Sequence, residues 1–249
     1  MMTNIKNAIR KLLPDPLLIA FNRFRMRIVL ERYKALTVKE AFTLIYTKNA
    51  WGKSNDPSDK YYSGSGSRKN DVVEAYIKSI DMFLRSFPTK PDVVDLGCGD
   101  FSVGSRVRAL CANYIACDIV EPLIAFNKEK FASLNVDFRV LDITADELPL
   151  AEVVFIRQVL QHLSNKMIEK VLPQLMRKYK YLVLTEHLPA AESFPHNLDV
   201  RTGPYFRLFL NSGIVLTSPP FNLKALEEKK LCQGPDCGGI IQTTLYRLS

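Results

Sequence analysis

Acids and glycines stand where apolar runs end in this chain. Residues 93–104 read VVDLGCGDFSVG, with Asp95 late in the run, Gly97 and Gly99 on either side of Cys98, and Asp100 directly after. Asp118 closes YIACD 19 residues beyond Gly99, and Asp142 closes VDFRVLD. Glycines one residue apart after a strand let the backbone pass close beneath a ligand. The dinucleotide fingerprint needs GxGxxG, and here Ser102 stands in the third glycine's place. Asp100 would also set a carboxylate against any pyrophosphate seated on these amides, and like charges in a partly buried site are costly. A ligand without phosphate, carrying an ammonium and a sulfonium, meets no such objection. S-adenosylmethionine is such a ligand. Asp118 is placed to accept from both ribose hydroxyls, and Asp142 from the adenine amino group.

Proton transfer near neutral pH would fall to the chain's three histidines, His162, His187 and His196. His162 follows the fourth apolar run, and His187 ends the fifth in TEH, with Glu186 beside it as a second candidate. Each could instead be a satisfied structural residue. His196 lies in PAAESFPHNLDVRTGPYFR, where Asn197, Asp199, Arg201 and Arg207 suit a polar or anionic acceptor, or form a solvated loop. Cys232 and Cys237 have no second pair to complete a four-ligand site, so no metal is expected.

These residues need elements to position them. From residue 91 the pattern alternates. PDVVDLG, NYIACD, VDFRVLD, AEVVFIRQ and KYLVLTEH read as strands. VGSRVRAL, EPLIAFNKEKFASL and SNKMIEKVLPQLMRKY read as helices, the last capped by Ser164 and interrupted by Pro173. A helix from about Asp71 to Phe87 precedes them. FNLKALEEKKLCQ and IIQTTLYRL read as two strands joined at GPDCGG. The pattern predicts an α/β fold with a parallel sheet covered on both faces and a ligand at the strands' C-terminal ends.

With those residues in place, residues ~91–187 resemble the class I S-adenosylmethionine-dependent methyltransferases, VVDLGCGD matching their glycine-rich first motif. The resemblance implies a seven-stranded, mostly parallel Rossmann-like sheet closed by an antiparallel pair, with helices on both faces. It implies that Asp95, Gly97, Cys98, Gly99 and Asp100 surround the methionine part of the cofactor. Asp118 and Ile119 would serve the ribose, and Asp142 and Ile143 the adenine. FIRQVLQHLSN resembles the fourth motif, where Arg157 and Gln158 would reach the cofactor near the methyl group. Longer similarities, WG…SGSGS and RQVLQHLS, resemble a branch associated with carbohydrate and small-molecule modification. The family's (D/N)PP(Y/F) signature for amino-group methylation is absent after the fourth strand; SPPF at 218–221 lies far too late.

The chain of 249 residues is 47% apolar and carries +8, yet residues 1–39 alone hold nine Lys/Arg against Asp15 and Glu31. Basicity therefore belongs to an N-terminal arm (residues 1–47), and the nearly neutral body argues against a long nucleic-acid track. Ile5, Ile9, Leu12 and Leu13 fit one short helix; Leu17, Phe21, Phe24 and Ile28 fit a second. The pair could pack on the main domain, rest on anionic lipid, or dock nucleic acid. Residues 48–70, KNAWGKSNDPSDKYYSGSGSRKN, read as a loop, either a linker or a lid whose Trp51, Tyr61 and Tyr62 meet the acceptor. Residues 71–249 form the main domain. Five scattered cysteines read as reduced thiols of a cytoplasmic protein, and the basic residues 1–39 extend that expectation to peripheral contact with the inner membrane. The favoured expectation is O-methylation of a small-molecule or glycan hydroxyl. An RNA or protein methyltransferase, or a non-catalytic binding module, are the alternatives.

Overall fold

The computed structural model describes residues 20, 24 and 27–249. Five strands are parallel: β1 (Val93–Leu96), β2 (Tyr114–Asp118), β3 (Asp137–Val140), β4 (Val153–Arg157) and β5 (Tyr181–Pro189). A hairpin of β6 (Glu227–Asp236) and β7 (Gly239–Arg247) joins through β7, antiparallel to β5. The order across the sheet is β3-β2-β1-β4-β5-β7-β6. The order reverses between β1 and β4, and a crevice at their C-terminal ends is the expected place for a ligand.

Side-chain alternation divides the core in two. Val94, Leu96, Cys117, Val154 and Ile156 face helix α5 (Asn165–Lys178), which brings Ile168, Val171, Leu172 and Leu175. Val93, Tyr114, Ala116, Val153 and Phe155 face α2 (Asn70–Arg85), with Val73, Tyr76, Ile80 and Leu84 at helical spacing. Because both faces are covered, the central strands read as unbroken apolar runs. Short helices α3 (Gly104–Val107) and α4 (Glu121–Lys130) follow β1 and β2.

Several boundaries differ from the sequence reading. Pro173 does not interrupt α5, which runs on to Lys178. Pro173 is exposed, so the carbonyl it leaves unbonded meets water, while the apolar face holds the helix to the sheet. Ser164 sits at the cap position but its side chain makes no capping bond; Asp199 instead accepts from Asn165 N at 2.7 Å. The hairpin turn is shorter than GPDCGG. Strand β6 reaches Asp236, and only Cys237 and Gly238 turn, both at positive φ (49° and 81°), the geometry a two-residue type I′ turn requires.

The helix α1 (Val38–Thr47) escaped the sequence reading. Thr37 and Glu40 form a reciprocal capping box at its start, a T-x-x-E signal that was there to be found. Within the arm, residues 24 and 27–30 are helical. Leu30 is buried in a small cluster with Val200, packed by Tyr205, Phe209 and Leu210. The expected positions Ile5, Ile9, Leu12, Leu13, Leu17 and Phe21 lie outside the described residues. Among the described residues, no helix is long and apolar enough to cross a membrane.

Candidate active site

A cavity opens at the C-terminal ends of β1, β2 and β4, lined on one side by Asp95, Gly97, Cys98, Gly99, Asp100, Asp118, Ile119, Asp142 and Ile143. Asp95 is buried on β1 and accepts from Tyr114 Oη at 3.0 Å; burial pushes its carboxyl up to about 7, against the opposing pull of that bond and of Arg157. Asp118 accepts from Gly99 N at 3.1 Å and from Val120 N at 3.0 Å. Burial raises it to about 6, against these amides. Its oxygens thus hold the glycine turn while facing the cavity. Asp142 Oδ1 accepts from Thr144 N and Oγ1 at 2.8 and 2.7 Å.

Both turn glycines are required by protein neighbours. A Cβ on Gly97 (φ 80°) would lie 2.3 Å from Val159 Cγ2, and one on Gly99 (φ 56°) 2.5 Å from Ser63 Oγ. The Gly99 carbonyl is pinned by fully buried Asn127, whose Nδ2 donates at 2.7 Å.

The opposite wall is assembled from distant segments. Residues 63–67, including a short 3-10 turn at Ser65–Ser67, cross the cavity mouth. Asp100 is their anchor. It accepts from Ser63 N at 3.0 Å and pairs with Arg68 Nη2 at 3.2 Å, while Asp100 N donates to Ser63 Oγ at 2.9 Å. Arg68 also pairs with Asp59 at 3.0 Å, and Lys130 reaches the same carboxylate at 2.5 Å. These cations hold Asp59 down at about 2, although its burial acts the other way. Trp51 donates from Nε1 to Pro204 O at 3.1 Å and lies 5.0 Å from His162, ring to ring. Phe42 and Tyr46 of α1 and Phe206 complete an aromatic wall.

His187 sits at the join of the two halves. Its ring stacks on Phe206 at 4.7 Å, and Nε2 lies 2.8 Å from Asp236 Oδ2 at the hairpin tip. Gln158, at positive φ (57°), has its Oε1 occupied by Ser67 Oγ (3.0 Å) and Arg157 Nη1 (3.2 Å). Its amide nitrogen is therefore the atom that meets His187 Nδ1 at 3.2 Å. Gln161 Oε1, which accepts from His187 N at 3.2 Å, lies equally 3.2 Å from Nδ1, so Nδ1 stands between one amide nitrogen and one amide oxygen while Nε2 faces the Asp236 carboxylate. The bond between Nε2 and Asp236 holds the Asp236 carboxyl below its usual value. His187, Asp236 and Cys237 also place one potential ligand atom each within 4.8 Å of one another, at the turn that fixes Asp236.

Residues 93–180 match the family model described as a methyltransferase domain. Among solved structures, the chain is similar to the N-methyltransferase NodS from Bradyrhizobium japonicum WM9 in complex with S-adenosyl-L-homocysteine (13% identity, TM-score 0.54, 72% of this chain and 90% of that one). It is similar to magnesium protoporphyrin IX methyltransferase ChlM from Synechocystis PCC 6803 with bound S-adenosylmethionine (13%, 0.55, 86% and 98%). A third is the bifunctional kinase-methyltransferase WbdD (15%, 0.53, 78% and 42%). At these identities the structural likeness is one of fold. None of the curated proteins matches the chain by sequence. Residues 93–180 thus match a methyltransferase domain, on a fold shared with these S-adenosylmethionine-dependent methyltransferases.

The cavity gathers Asp95, Gly97, Cys98, Gly99, Asp100, Asp118, Ile119, Asp142, Ile143, Arg157, Gln158 and His162 from the matched region, with Trp51 and His187 from outside it. Other expected residues, Asp199 and Arg201 among them, fall elsewhere. Glu186 does not line the cavity; its two oxygens accept from Leu160 N (3.0 Å) and Gln161 N (3.2 Å), fixing the turn after β4. Burial raises Glu186 to about 8 although the Arg207 charge opposes this. Arg207 is buried and donates to the carbonyls of Leu160, Gln161, Leu163 and Leu198, so it builds that turn from behind rather than meeting an acceptor. Asn197 is likewise consumed by Val215, Ser218 and Pro219. Tyr61 packs edge-on against Tyr46 and Phe126, and Tyr62 lies under Arg68. His196 bonds Ser218 Oγ at 2.8 Å, outside the cavity. His162 is buried, with Nδ1 3.1 Å from the Tyr205 carbonyl, and burial holds it down at about 4. It is a neutral wall residue at neutral pH.

The sequence reading missed Phe42, Tyr46, Ser63, Arg68, Phe206 and Asp236. Only the SGSGSRK stretch and the Thr37 capping box offered a signal, since the others meet the site through tertiary packing alone.

Proposed function

We propose that this methyltransferase acts on a hydroxyl of a small molecule or glycan. The observation that carries the reading is His187, on the cavity wall, with its Nε2 2.8 Å from the Asp236 carboxylate and its Nδ1 between the Gln158 and Gln161 amides; in the reactive tautomer Nε2 carries the proton and Nδ1 the lone pair. S-adenosylmethionine would be held along the ends of β1, β2 and β4, where Asp118 would accept from its ribose and Asp142 and Ile143 would flank its adenine. The sulfonium is a good leaving group, so alignment of acceptor oxygen, methyl carbon and sulfur supplies much of the rate. A neutral hydroxyl still holds its proton too tightly to attack well. On acceptor binding the hydroxyl displaces the Gln158 amide from Nδ1 and gives its proton to that nitrogen as the carbon–oxygen bond forms. The carbon–sulfur pair returns to sulfur, leaving S-adenosylhomocysteine. Asp236 stabilises the imidazolium. The aromatic wall of Phe42, Trp51 and Phe206 suits stacking against a ring, aromatic or sugar.

The protein is proposed to act in the cytoplasm. Its basic arm is proposed to touch an anionic membrane surface, a reading supported by the exposed side chains of Phe24 and Ile28.

His187→Ala tests the mechanism. Transfer to hydroxylated acceptors should fall by about 10²–10⁴, while cofactor affinity stays within twofold. Undiminished transfer by the variant overturns the base assignment. Transfer confined to amines overturns the oxygen reading.

A further inference from the structure

The hairpin tip brings three metal-ligating residue types together. Asp236 ends β6, Cys237 opens the turn, and His187 lies near the end of β5. The sheet register fixes their meeting: His187 stands opposite Ile241, and Asp236 opposite Gly239. One ring nitrogen of His187, one carboxylate oxygen of Asp236 and Cys237 Sγ lie within 4.8 Å of one another. Nε2 is the nitrogen on that side, 2.8 Å from Asp236 Oδ2. The Cys237 thiol also hydrogen-bonds this carboxylate. All three residues line the cavity, and Cys237 is exposed. Sequence spacing offered Cys237 only Cys232 as a partner. The fold packs Cys232 against the α2 side of the core instead, and brings an imidazole and a carboxylate to Cys237.

Donors of these three types suit zinc. Around a tetrahedral zinc such ligand atoms lie roughly 3.3–3.6 Å apart, given Zn–N near 2.0–2.1 Å and Zn–S near 2.3 Å. The 2.8 Å pair and the 4.8 Å limit bracket that spacing. The Asp236 carboxylate and a Cys237 thiolate would match the two charges of the ion. The Lys69 charge also reaches Asp236 and opposes a cation there, but its ammonium already donates to the Pro235 carbonyl and pairs with Asp71 at 3.7 Å.

A zinc-bound imidazole is held from behind by an acceptor for its other N–H. Gln161 is oriented to be that acceptor. His162 Nδ1 meets the Tyr205 carbonyl at 3.1 Å and so carries the proton, which leaves His162 Nε2 to accept from Gln161 Nε2 at 3.3 Å. The Gln161 oxygen is thereby turned to His187, 3.2 Å from both its N and its Nδ1. With Nε2 on zinc, Nδ1 would donate to this oxygen. The same proton removes the lone pair that a base needs.

We propose that His187, Asp236 and Cys237 bind a zinc ion that switches methyl transfer off. The ion takes the Nε2 lone pair, the imidazole proton moves to Nδ1, and the Cys237 thiol proton leaves to solvent. The switching rests on the reading of His187 as the base; the zinc site itself does not.

The experiment is competition for zinc between the metal-free, reduced protein and a chromophoric chelator, with cobalt(II) spectra and transfer assays in parallel. Native protein should take up one zinc per chain. Cys237→Ser and Asp236→Asn should bind it at least tenfold more weakly, since loss of a residue behind a ligand already costs about 10- to 100-fold. Cobalt should give a thiolate charge-transfer band with native protein and none with Cys237→Ser. Equal zinc affinity in native protein and Cys237→Ser, without that band, overturns the site. Zinc should suppress transfer to a hydroxylated acceptor, a chelator should restore it, and Cys237→Ser should need at least tenfold more zinc for the same loss. Transfer stimulated by zinc overturns the switch. A zinc site intact in a metal-free protein that transfers no methyl group to hydroxyls overturns the reading of His187 as the base and leaves the site standing.

Discussion

The two halves of the cavity are built by different rules. The cofactor half comes from the turns after β1, β2 and β3, where Asp95, Gly97, Gly99, Asp118 and Asp142 occupy consecutive strand ends. Each is placed by its own strand, so local sequence order is enough to position it. The acceptor half draws Phe42 and Tyr46 from α1, Trp51 and Ser63–Ser67 from the strap formed by residues 48–69 between α1 and α2, His187 from β5, Phe206 from a loop and Asp236 from the hairpin tip. No sequence spacing connects these residues. Their assembly depends on side-chain clamps, chiefly Asp100–Arg68, Trp51–Pro204 and Asp236–His187. A regular sheet therefore specifies the first half, and tertiary hydrogen bonds specify the second.

This contrast can be broken by substitution. Asp118→Ala removes an acceptor of the Gly99 and Val120 amides and the proposed ribose partner. Cofactor affinity should fall by an order of magnitude or more, since a charge-assisted bond is worth ~1.5–3 kcal/mol. Unchanged affinity in a calorimetric titration would remove the ribose assignment. Arg68→Met should release the strap, giving faster amide exchange over residues 60–68 and a several-fold loss of cofactor affinity. Exchange identical to the native protein's would show that Asp100 does not anchor the strap. Trp51→Ala should act on the acceptor half alone, raising the acceptor KM several-fold with cofactor affinity untouched; a matched loss of cofactor affinity would merge the two halves.

The smallest effect concerns pH. Asp95 and Asp118 are raised from 3.8 to about 7 and about 6, and Glu186 from 4.5 to about 8. Each contributes stability that is full below its unfolded value and lost as pH rises through its folded value. His162, lowered from 6.5 to about 4, acts in the opposite sense, and its contribution is complete above 6.5. Between pH 6.5 and 8 the raised carboxyls prevail, so the melting temperature of the cofactor-free protein should decline. Glu186→Gln should flatten that decline. A melting temperature that rises across this window would contradict the burial assigned to these acids.

The same contrast explains what could be read from the sequence. VVDLGCGD and the acids at 118 and 142 were legible because strand ends and glycines punctuate a parallel sheet in order. The roles of Asp100 and Arg207 were not. Asp100 lines the cavity as expected, but that its carboxylate also holds Ser63 and Arg68 had no signal in the sequence. Arg207 and Asn197 were expected to bind an acceptor, because a polar residue in a loop looks the same whether it meets a ligand or a backbone carbonyl. Glu186 shows the converse: a buried acid beside a histidine suggests acid–base chemistry, but here two amides claim it. Asp236 was hidden because GPDCGG reads as a turn, whereas β6 carries it two residues beyond Gly234, to the edge of the cavity.

The most direct test of separable halves is to titrate S-adenosylhomocysteine calorimetrically into Asp118→Ala and His187→Ala side by side. The account predicts that Asp118→Ala binds at least tenfold more weakly than native protein, and that His187→Ala binds as the native protein does. Equal weakening in both variants would contradict it, because the imidazole would then belong to the cofactor site.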